Sequence, residues 1–290
     1  MPKQNIKPIC SIVVPAHNEA AVIGETLQAL TKDALPGELD IIVICNGCTD
    51  ETAEVVMQAA PDAKVIELQI ASKSCALNTG VQAANNHPIV FLDADIKTSA
   101  AAVRSLIHRL NWSGAYMTYG TAVFMTKQCS WAVRAFYRAW QQNPYFDKKK
   151  MGGFFAISGA GLQALGGFPK TLNDDEYVRR KLMANSAWAE KAPYKVEAPR
   201  TLSDLIKVRS RVYRGNQSLE DNFMPLGSQQ KRENATAFML RLFKQPKYWA
   251  GAMVFGLTAV LAHLRNFLNS GELAVWESDQ STRIAAPKGQ

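Results

Sequence analysis

Two aspartates one residue apart close an apolar run in the stretch Ile89–Ser99, IVFLDADIKTS. In an extended chain residues i and i+2 face the same side. Asp93 and Asp95 therefore project together if strand geometry persists, with the small Ala94 turned away. Two carboxylates on so short an arm suit a hard divalent cation, Mg²⁺ or Mn²⁺, whose remaining ligands would be water or substrate phosphates. Spacing alone leaves a second reading open, a loop in which one aspartate caps a helix at Ala100 and the other is solvated.

Lys73 opens the segment SKSCALNTG at an expected helix start. A lysine beside a helix N-terminus can hold phosphate, and a solvated lysine is the plain alternative. No GxxxxGK[ST] occurs, and no GxGxxG follows the first strand, which disfavours Walker-type and dehydrogenase-type nucleotide binding. Asp174, Asp175 and Glu176 adjoin. Adjacent acids raise one another's pKa and suit a general base, but they also favour a helix N-terminus, and without a partner motif the helix role is preferred. Arg209, Arg211 and Arg214, with Lys207 nearby, could neutralise a departing diphosphate, a lipid headgroup or a nucleic-acid backbone, or form a solvated face. His17 follows the first strand. The other histidines form no HxH or HxxxH pattern, and no GxSxG points to nucleophilic hydrolysis.

The elements that must position these groups alternate. Ile9–Val14 reads as a strand broken by Pro15, and Asn18–Leu30 as a helix with apolar residues at helical spacing. Ile41–Cys45 is a second strand, ending in NGCTD. A helix over 51–60, a strand over Lys64–Leu68, a helix over Lys73–Asn86 and a strand over Ile89–Leu92 follow. Strand–loop–helix repetition predicts a parallel sheet covered on both faces, with ligands gathered outside the carboxyl ends of its strands. PAHNE, NGCTD and DAD all fall at such ends. Beyond residue 100 the expectation is a helix over Ala101–Leu110, one or two strands over Ala115–Met125 and a helix over Trp131–Trp140. A glycine-punctuated strand–turn–helix at MGGFFAISGAGLQALGGFP and a helix under NDDEYVRRKLM complete the main domain.

The chain has 290 residues, 47% hydrophobic and 20% charged, with a formal net charge of +8. That is a globular balance with room for a sizeable core and a preference for an anionic partner. MPKQNIK and SDQSTRIAAPKGQ are the only stretches expected to be disordered. Five cysteines form no disulfide framework. Cys45 and Cys48 make a CxxC with no second pair to complete a zinc site, so packing is the expectation. The N-terminus carries no apolar signal segment, and a cytoplasmic location follows as the default. Trp249–Leu264 contains no Lys, Arg, Asp or Glu but is shorter than the roughly 20 residues a perpendicular spanning helix needs. With Lys244 and Lys247 before it and Arg265 after, it reads as membrane-associated; a buried helix is the alternative.

Taken in order, SIVVPAHNEAAVIGETLQAL, VICNGCTDETA, SKSCALNTG, FLDAD, FFAISGAGLQALGGFP, NDDEYVRRKL and RVYRGN resemble the family 2 glycosyltransferases, inverting enzymes of the GT-A fold. The resemblance spans about Ser11 to Leu219. It implies an α/β fold, a Rossmann-like, mostly parallel mixed sheet flanked by helices over 1–221. The remainder, 222–290, reads as a C-terminal helical appendage, membrane-associated through Trp249–Leu264 and its basic flanks. Pro15, His17 and Glu19 would surround the base and ribose of a nucleotide-sugar donor. Asn46 stands where many members have a base-reading aspartate, and Asp50 supports that loop. Lys73 and Asn78 would lie under the ribose-diphosphate. Asp93 would face the nucleotide, and Asp95 would hold the Mg²⁺ or Mn²⁺ bridging the diphosphate. Ser158, Gly159 and Gly161 would wall the acceptor side. Asp175, with Asp174 beside it, would deprotonate the acceptor hydroxyl. Arg211 and Arg214 align with the end of a QxxRW-type motif, here degenerate because Val208 and Val212 replace its glutamine and tryptophan. Single-sugar transfer is therefore expected over processive synthesis.

The implied partners are a UDP-sugar, a saccharide or polyprenyl-linked glycan acceptor and the cytoplasmic face of the cell membrane, with no nucleic acid. Two other classes compete. A sugar nucleotidyltransferase would want a glycine-rich basic loop after the first strand, where PAHNEAAVIGE is acidic. A non-catalytic binding protein would have no use for Asp93, Asp95 and Asp175.

Overall fold

The computed structural model describes residues 7–147, 151–171, 173–222 and 228–268. Apart from Lys7, both terminal stretches expected to be disordered lie outside them. Eight strands form one sheet: β1 (Cys10–Ala16), β2 (Leu39–Asn46), β3 (Lys64–Leu68), β4 (Ile89–Leu92), β5 (Ile96–Lys97), β6 (Met117–Met125), β7 (Phe154–Ile157) and β8 (Ser186–Glu197). The helices are α1 (Ala20–Thr31), α2 (Thr52–Ala59), α3 (Lys73–Ala83), α4 (Ala100–Ser113), α5 (Trp131–Trp140), α6 (Gly159–Leu165), α7 (Asp174–Leu182), α8 (Leu202–Asn222), α9 (Ser228–Phe243) and α10 (Trp249–Leu268).

The strand order is β3-β2-β1-β4-β7-β6-β8-β5. β1 to β4 pair in parallel, whereas β7 runs antiparallel to both β4 and β6, and β5 antiparallel to β8. Successive residues of β1 feed opposite cores. Ile12 and Val14 pack in the cluster with Ile23 and Leu27 of α1 and Leu106 of α4, while Val13 packs with Leu77 of α3, Leu165 of α6 and Val178 of α7. A period of two, apolar on both faces, builds this helix–sheet–helix sandwich.

Two expectations fail for local reasons. β1 does not stop before Pro15 but runs to Ala16, with Pro15 opposite Ile44. The pairing of β1 with β4 ends at Val13, so at Pro15 the strand has β2 as its one ladder partner, an edge position where proline is tolerated. β8 lies where the sequence pattern predicts no strand. Its buried residues alternate as Ala187 and Ala189, then Ala192 and Tyr194, with two exposed residues, Glu190 and Lys191, shifting the phase between them. A strict alternation template misses such a strand.

The chain forms two compact units. The first draws on Met1–Val123, Met151–Lys170 and Asp174–Val196; the second on Phe124–Lys150, Thr171–Asn173 and Glu197–Gln290. The first carries α1 to α4, α6, α7 and most of the sheet. The second packs α5, α8, α9 and α10 around Phe136, Phe238, Leu242 and their neighbours. The division expected at 221/222 falls in the last turn of α8.

Candidate active site

The carboxyl ends of β1, β2 and β4 lie on one edge of the sheet, because all three strands are parallel and in register. The loop after β1 is tied to that after β2. His17 Nδ1–H donates to the Asn46 carbonyl at 2.7 Å, and the Asn46 amide donates to the Ala16 carbonyl at 2.7 Å. Asn18, at φ 54°, accepts the Thr49 N–H. Asp50 accepts the Ala20 N–H at the start of α1, and Thr52 accepts that of the buried Glu19. Asn46 is fully buried, and its side-chain oxygen has no hydrogen-bond partner, so it clasps the strand ends rather than presenting a polar face to solvent. Pro15 is buried within β1. Cys45 and Cys48 are free thiols. The hydrogen bond from Cys45 pulls the Cys48 thiol down to about 6, while its own engagement and burial push Cys45 up.

The two aspartates after β4 do not sit on an extended strand. β4 ends at Leu92, and Ile96 N–H donates to the Asp93 carbonyl at 3.1 Å, closing a turn over Asp93–Ile96. The alternation argument for their shared direction therefore does not apply; the turn places them. Asp93 N–H donates to the Gly153 carbonyl at 2.9 Å, and a Cβ on Gly153 would come within 2.0 Å of the Asp93 carboxylate. Gly153 is glycine because the aspartate lies against its backbone. Asp95 is exposed and Ala94 buried.

Lys73 is the first residue of α3, whose N-cap Ser72 accepts the Cys75 N–H. Its ammonium bridges Asp93 at 2.8 Å and Asp174, the first residue of α7, at 2.9 Å. Burial alone would lower the lysine's pKa, but the charges of Asp174 and Asp93 hold it well above the ordinary lysine value. Burial pushes the Asp174 carboxyl up to about 6; Asp93 and Asp175 add to this and Lys73 opposes it. The three adjacent acids thus divide. Asp174 joins Lys73, Asp175 is half-buried and accepts the Glu176 N–H at 2.8 Å, and Glu176 holds Arg179 and Arg180. Burial works against the Glu176 carboxylate, yet the two arginines keep it below its usual range. Asp175 meets a backbone N–H in the first turn of α7, whereas Asp174 joins Lys73 and Asp93.

Other anticipated residues serve as braces. Asn78 exchanges both amide hydrogen bonds with the Phe168 backbone, each at 2.9 Å, pinning α3 to the segment after α6. Ser158 caps α6 by accepting the Gly161 N–H and donates to the Tyr116 carbonyl. A Cβ on Gly161 would approach that carbonyl at 2.3 Å, whereas Gly159 faces open space. Arg211 and Arg214 lie on α8 in the second unit. The pairing of Lys73 with Asp174 had no sequence signal beyond the two motifs themselves.

Among the described residues no group of three His, Cys, Asp or Glu side chains could close around a metal ion. The donor set still fits a partly protein-held divalent cation. Asp93 and Asp95 offer hard oxygens on one turn, and a cation held there would share Asp93 with the Lys73 ammonium.

A mixed sheet of this order, with its acids beyond the parallel strand ends, defines a GT-A fold. The mannosyltransferase PcManGT of Pyrobaculum calidifontis, solved with GDP-Man and Mn²⁺, superposes with a TM-score of 0.56 at 20% identity, over 94% of this chain and 79% of that one. Glucosyl-3-phosphoglycerate synthase of Mycobacterium tuberculosis gives 0.54 at 17% identity, over 75% and 81%. The chain belongs to glycosyl transferase family 2, whose profile matches residues 11–160, just over half its length. It is 33% identical over 115 residues to the probable glycosyltransferase YdaM of Bacillus subtilis, covering 36% of this chain and 27% of that protein. It is equally 33% identical over 111 residues to the 4,4'-diaponeurosporenoate glycosyltransferase of Staphylococcus aureus, covering 36% and 28%. These two sequence matches each span under a third of the relative's own length.

Proposed function

We propose that the protein is an inverting glycosyltransferase. It moves a sugar from a nucleoside-diphosphate sugar, a UDP-sugar by preference, to a hydroxyl of a lipid-linked or growing saccharide at the cytoplasmic face of a membrane. The observation that carries this reading is the meeting of Lys73, Asp93 and Asp174 beyond the ends of the parallel strands. Support for a nucleoside-diphosphate donor and a metal comes from fold relatives: Staphylococcus aureus TarS crystallised with UDP and with UDP-GlcNAc, the Mycobacterium synthase with Mn²⁺ and UDP, and the Pyrobaculum mannosyltransferase with GDP-Man and Mn²⁺.

Asp95 and Asp93 would hold Mg²⁺ or Mn²⁺, which supplies Lewis-acid stabilisation of the diphosphate leaving group. Lys73 contributes a fixed positive charge at the same place, in a half-dry setting where it needs no reorganisation. Asp174 is the base this geometry favours over Asp175. It is buried and held against Lys73, while Asp175 accepts the backbone N–H of Glu176. Asp174 would take the proton from the acceptor hydroxyl, whose oxygen attacks the anomeric carbon from the face opposite the diphosphate. One displacement inverts that carbon, and no covalent enzyme intermediate forms.

The test is a screen of UDP- and GDP-sugars with Mn²⁺ or Mg²⁺, followed for nucleoside-diphosphate release with and without saccharide acceptors. Release that requires the divalent cation and stops with EDTA is the expected result. A complete absence of turnover with every sugar nucleotide, alongside measurable nucleotide binding, would favour the non-catalytic reading.

A further inference from the structure

Helix α10 carries an apolar stripe that its own unit leaves uncovered. Trp249, Met253, Leu257, Val260, Leu264 and Phe267, at steps of four, four, three, four and three residues, are each at least half exposed, up to 78% at Phe267. These steps follow the helical period and set the side chains in one row along about 27 Å of helix. Scattered exposed hydrophobes need no explanation, whereas a continuous row does. The opposite face is fully used within the unit. Gly251 packs so closely on α5 that a Cβ would meet the Ala135 carbonyl at 2.3 Å, and Thr258 and Ala262 are buried. Nearer the C-terminal end His263 stacks on Tyr213 of α8 at 4.7 Å, and Asn266 donates to the Ser210 carbonyl at 3.0 Å.

We infer that α10 lies in the plane of an anionic bilayer, its stripe sunk to the boundary between headgroups and acyl chains, and does not cross it. This deepens the membrane part of the proposed function and rests on it only there. Over Pro246–Leu268 the chain is, contrary to the expectation for Trp249–Leu264, long and apolar enough to cross a membrane, but one side of α10 is held along its length by α5 and α8, whose arginines would be costly in the bilayer core. In-plane docking needs one apolar face and a polar body behind it, which is the arrangement present. Charge selects the partner. Between Asn234 and Leu268 the chain has no Asp or Glu; Arg241 is paired with Asp147, and Lys244, Lys247 and Arg265 are the further basic residues. Lys244 and Lys247 are exposed where the stripe begins, at the level anionic headgroups would occupy. Met239, Leu240 and Phe243 of α9 are likewise about half exposed or more, and the Trp249 indole donates to the Phe243 carbonyl, which joins the two patches. A tryptophan at that corner suits the interfacial belt.

The experiment is co-flotation of the full chain with vesicles, without metal or sugar nucleotide. The chain should float with vesicles of phosphatidylglycerol and phosphatidylcholine in equal parts, float far less with phosphatidylcholine alone, and come off in alkaline carbonate. Met253→Glu with Leu264→Glu should cut the partition coefficient by about tenfold or more and leave thermal unfolding unchanged, since both side chains are exposed. Lys244→Gln with Lys247→Gln should cost about fivefold per charge and flatten the salt dependence. No flotation with the anionic vesicles overturns the inference, and retention after carbonate overturns it in favour of a spanning helix. A wild-type dimer that the glutamate variant dissolves, with no vesicle binding, assigns the stripe to a second copy of the chain instead. Donor turnover plays no part in these readouts, so failure here and failure of the transferase reading are separate results.

Discussion

Replacing Lys73 by methionine removes one charge and little else, because the aliphatic stem is kept. In the native site the ammonium lies 2.8 Å from one Asp93 oxygen and 2.9 Å from one Asp174 oxygen, so those oxygens are under 6 Å apart. Two unit negative charges at about 6 Å repel by about 3 kcal/mol at an effective dielectric of ~20. The Asp174 side chain is 10% exposed and Asp93 32%, so solvent relieves the second carboxylate more than the first. Breaking a buried pair from one side costs about 3–5 kcal/mol, and the partial exposure of Asp93 brings the expectation to about 2–4 kcal/mol at pH 8. At about 2–4 °C per kcal/mol that is a fall in Tm of roughly 4–16 °C.

The loss should depend on pH in a stated direction. The Asp174 carboxyl already sits near 6 with Lys73 opposing the shift, and removing the lysine raises it further. A carboxyl whose folded-state pKa exceeds its unfolded value favours folding while protonated, and that contribution disappears as pH rises through the folded value. The variant should therefore approach the wild type near pH 5 and fall away between pH 6 and 8. Urea denaturation in EDTA at both pH values measures this, and adding Asp174→Asn to the variant should restore most of the stability at pH 8. A loss below about 0.5 kcal/mol at pH 8, or one equal at pH 5 and 8, would refute the bridging geometry.

Asp174→Asn should reduce transfer by about 10²–10⁴-fold, the range of a positioned general base, with nucleotide binding retained by calorimetry; Asp175→Asn should change transfer far less. The reverse ranking would return the base to Asp175. Gly153→Ala forces the Asp93 carboxylate off its seat, since the new methyl would start 2.0 Å from it. It should weaken Mn²⁺-dependent binding of UDP while the fold survives, as titration and circular dichroism would report.

Much of the first unit is legible along the chain because its signals are local. Lys64–Leu68 and Ile89–Leu92 begin and end where apolar runs meet turn residues, and α5 spans the predicted Trp131–Trp140. The chemistry-bearing loops were readable for the same reason: they follow strands. β8 escaped, since its pattern changes phase at Glu190 and Lys191 and its partners lie far off in sequence. The roles of single side chains were less readable. Asn46 and Asn78 look like ligand residues by type, yet both spend hydrogen bonds on backbone carbonyls of distant segments.

The sequence by itself determined the alternation of strands and helices, the polar loops at the strand ends and the helical spacing of the apolar residues in α10, because periodicity and turn chemistry act over a few residues. Only the tertiary structure decided that Asp93 lies against Gly153, and that Asp174, not its neighbour, meets Lys73. It also decided which face of α10 is covered. These are contacts between segments remote in the chain, and a remote contact exists only once the packing of the elements between them has chosen a distance.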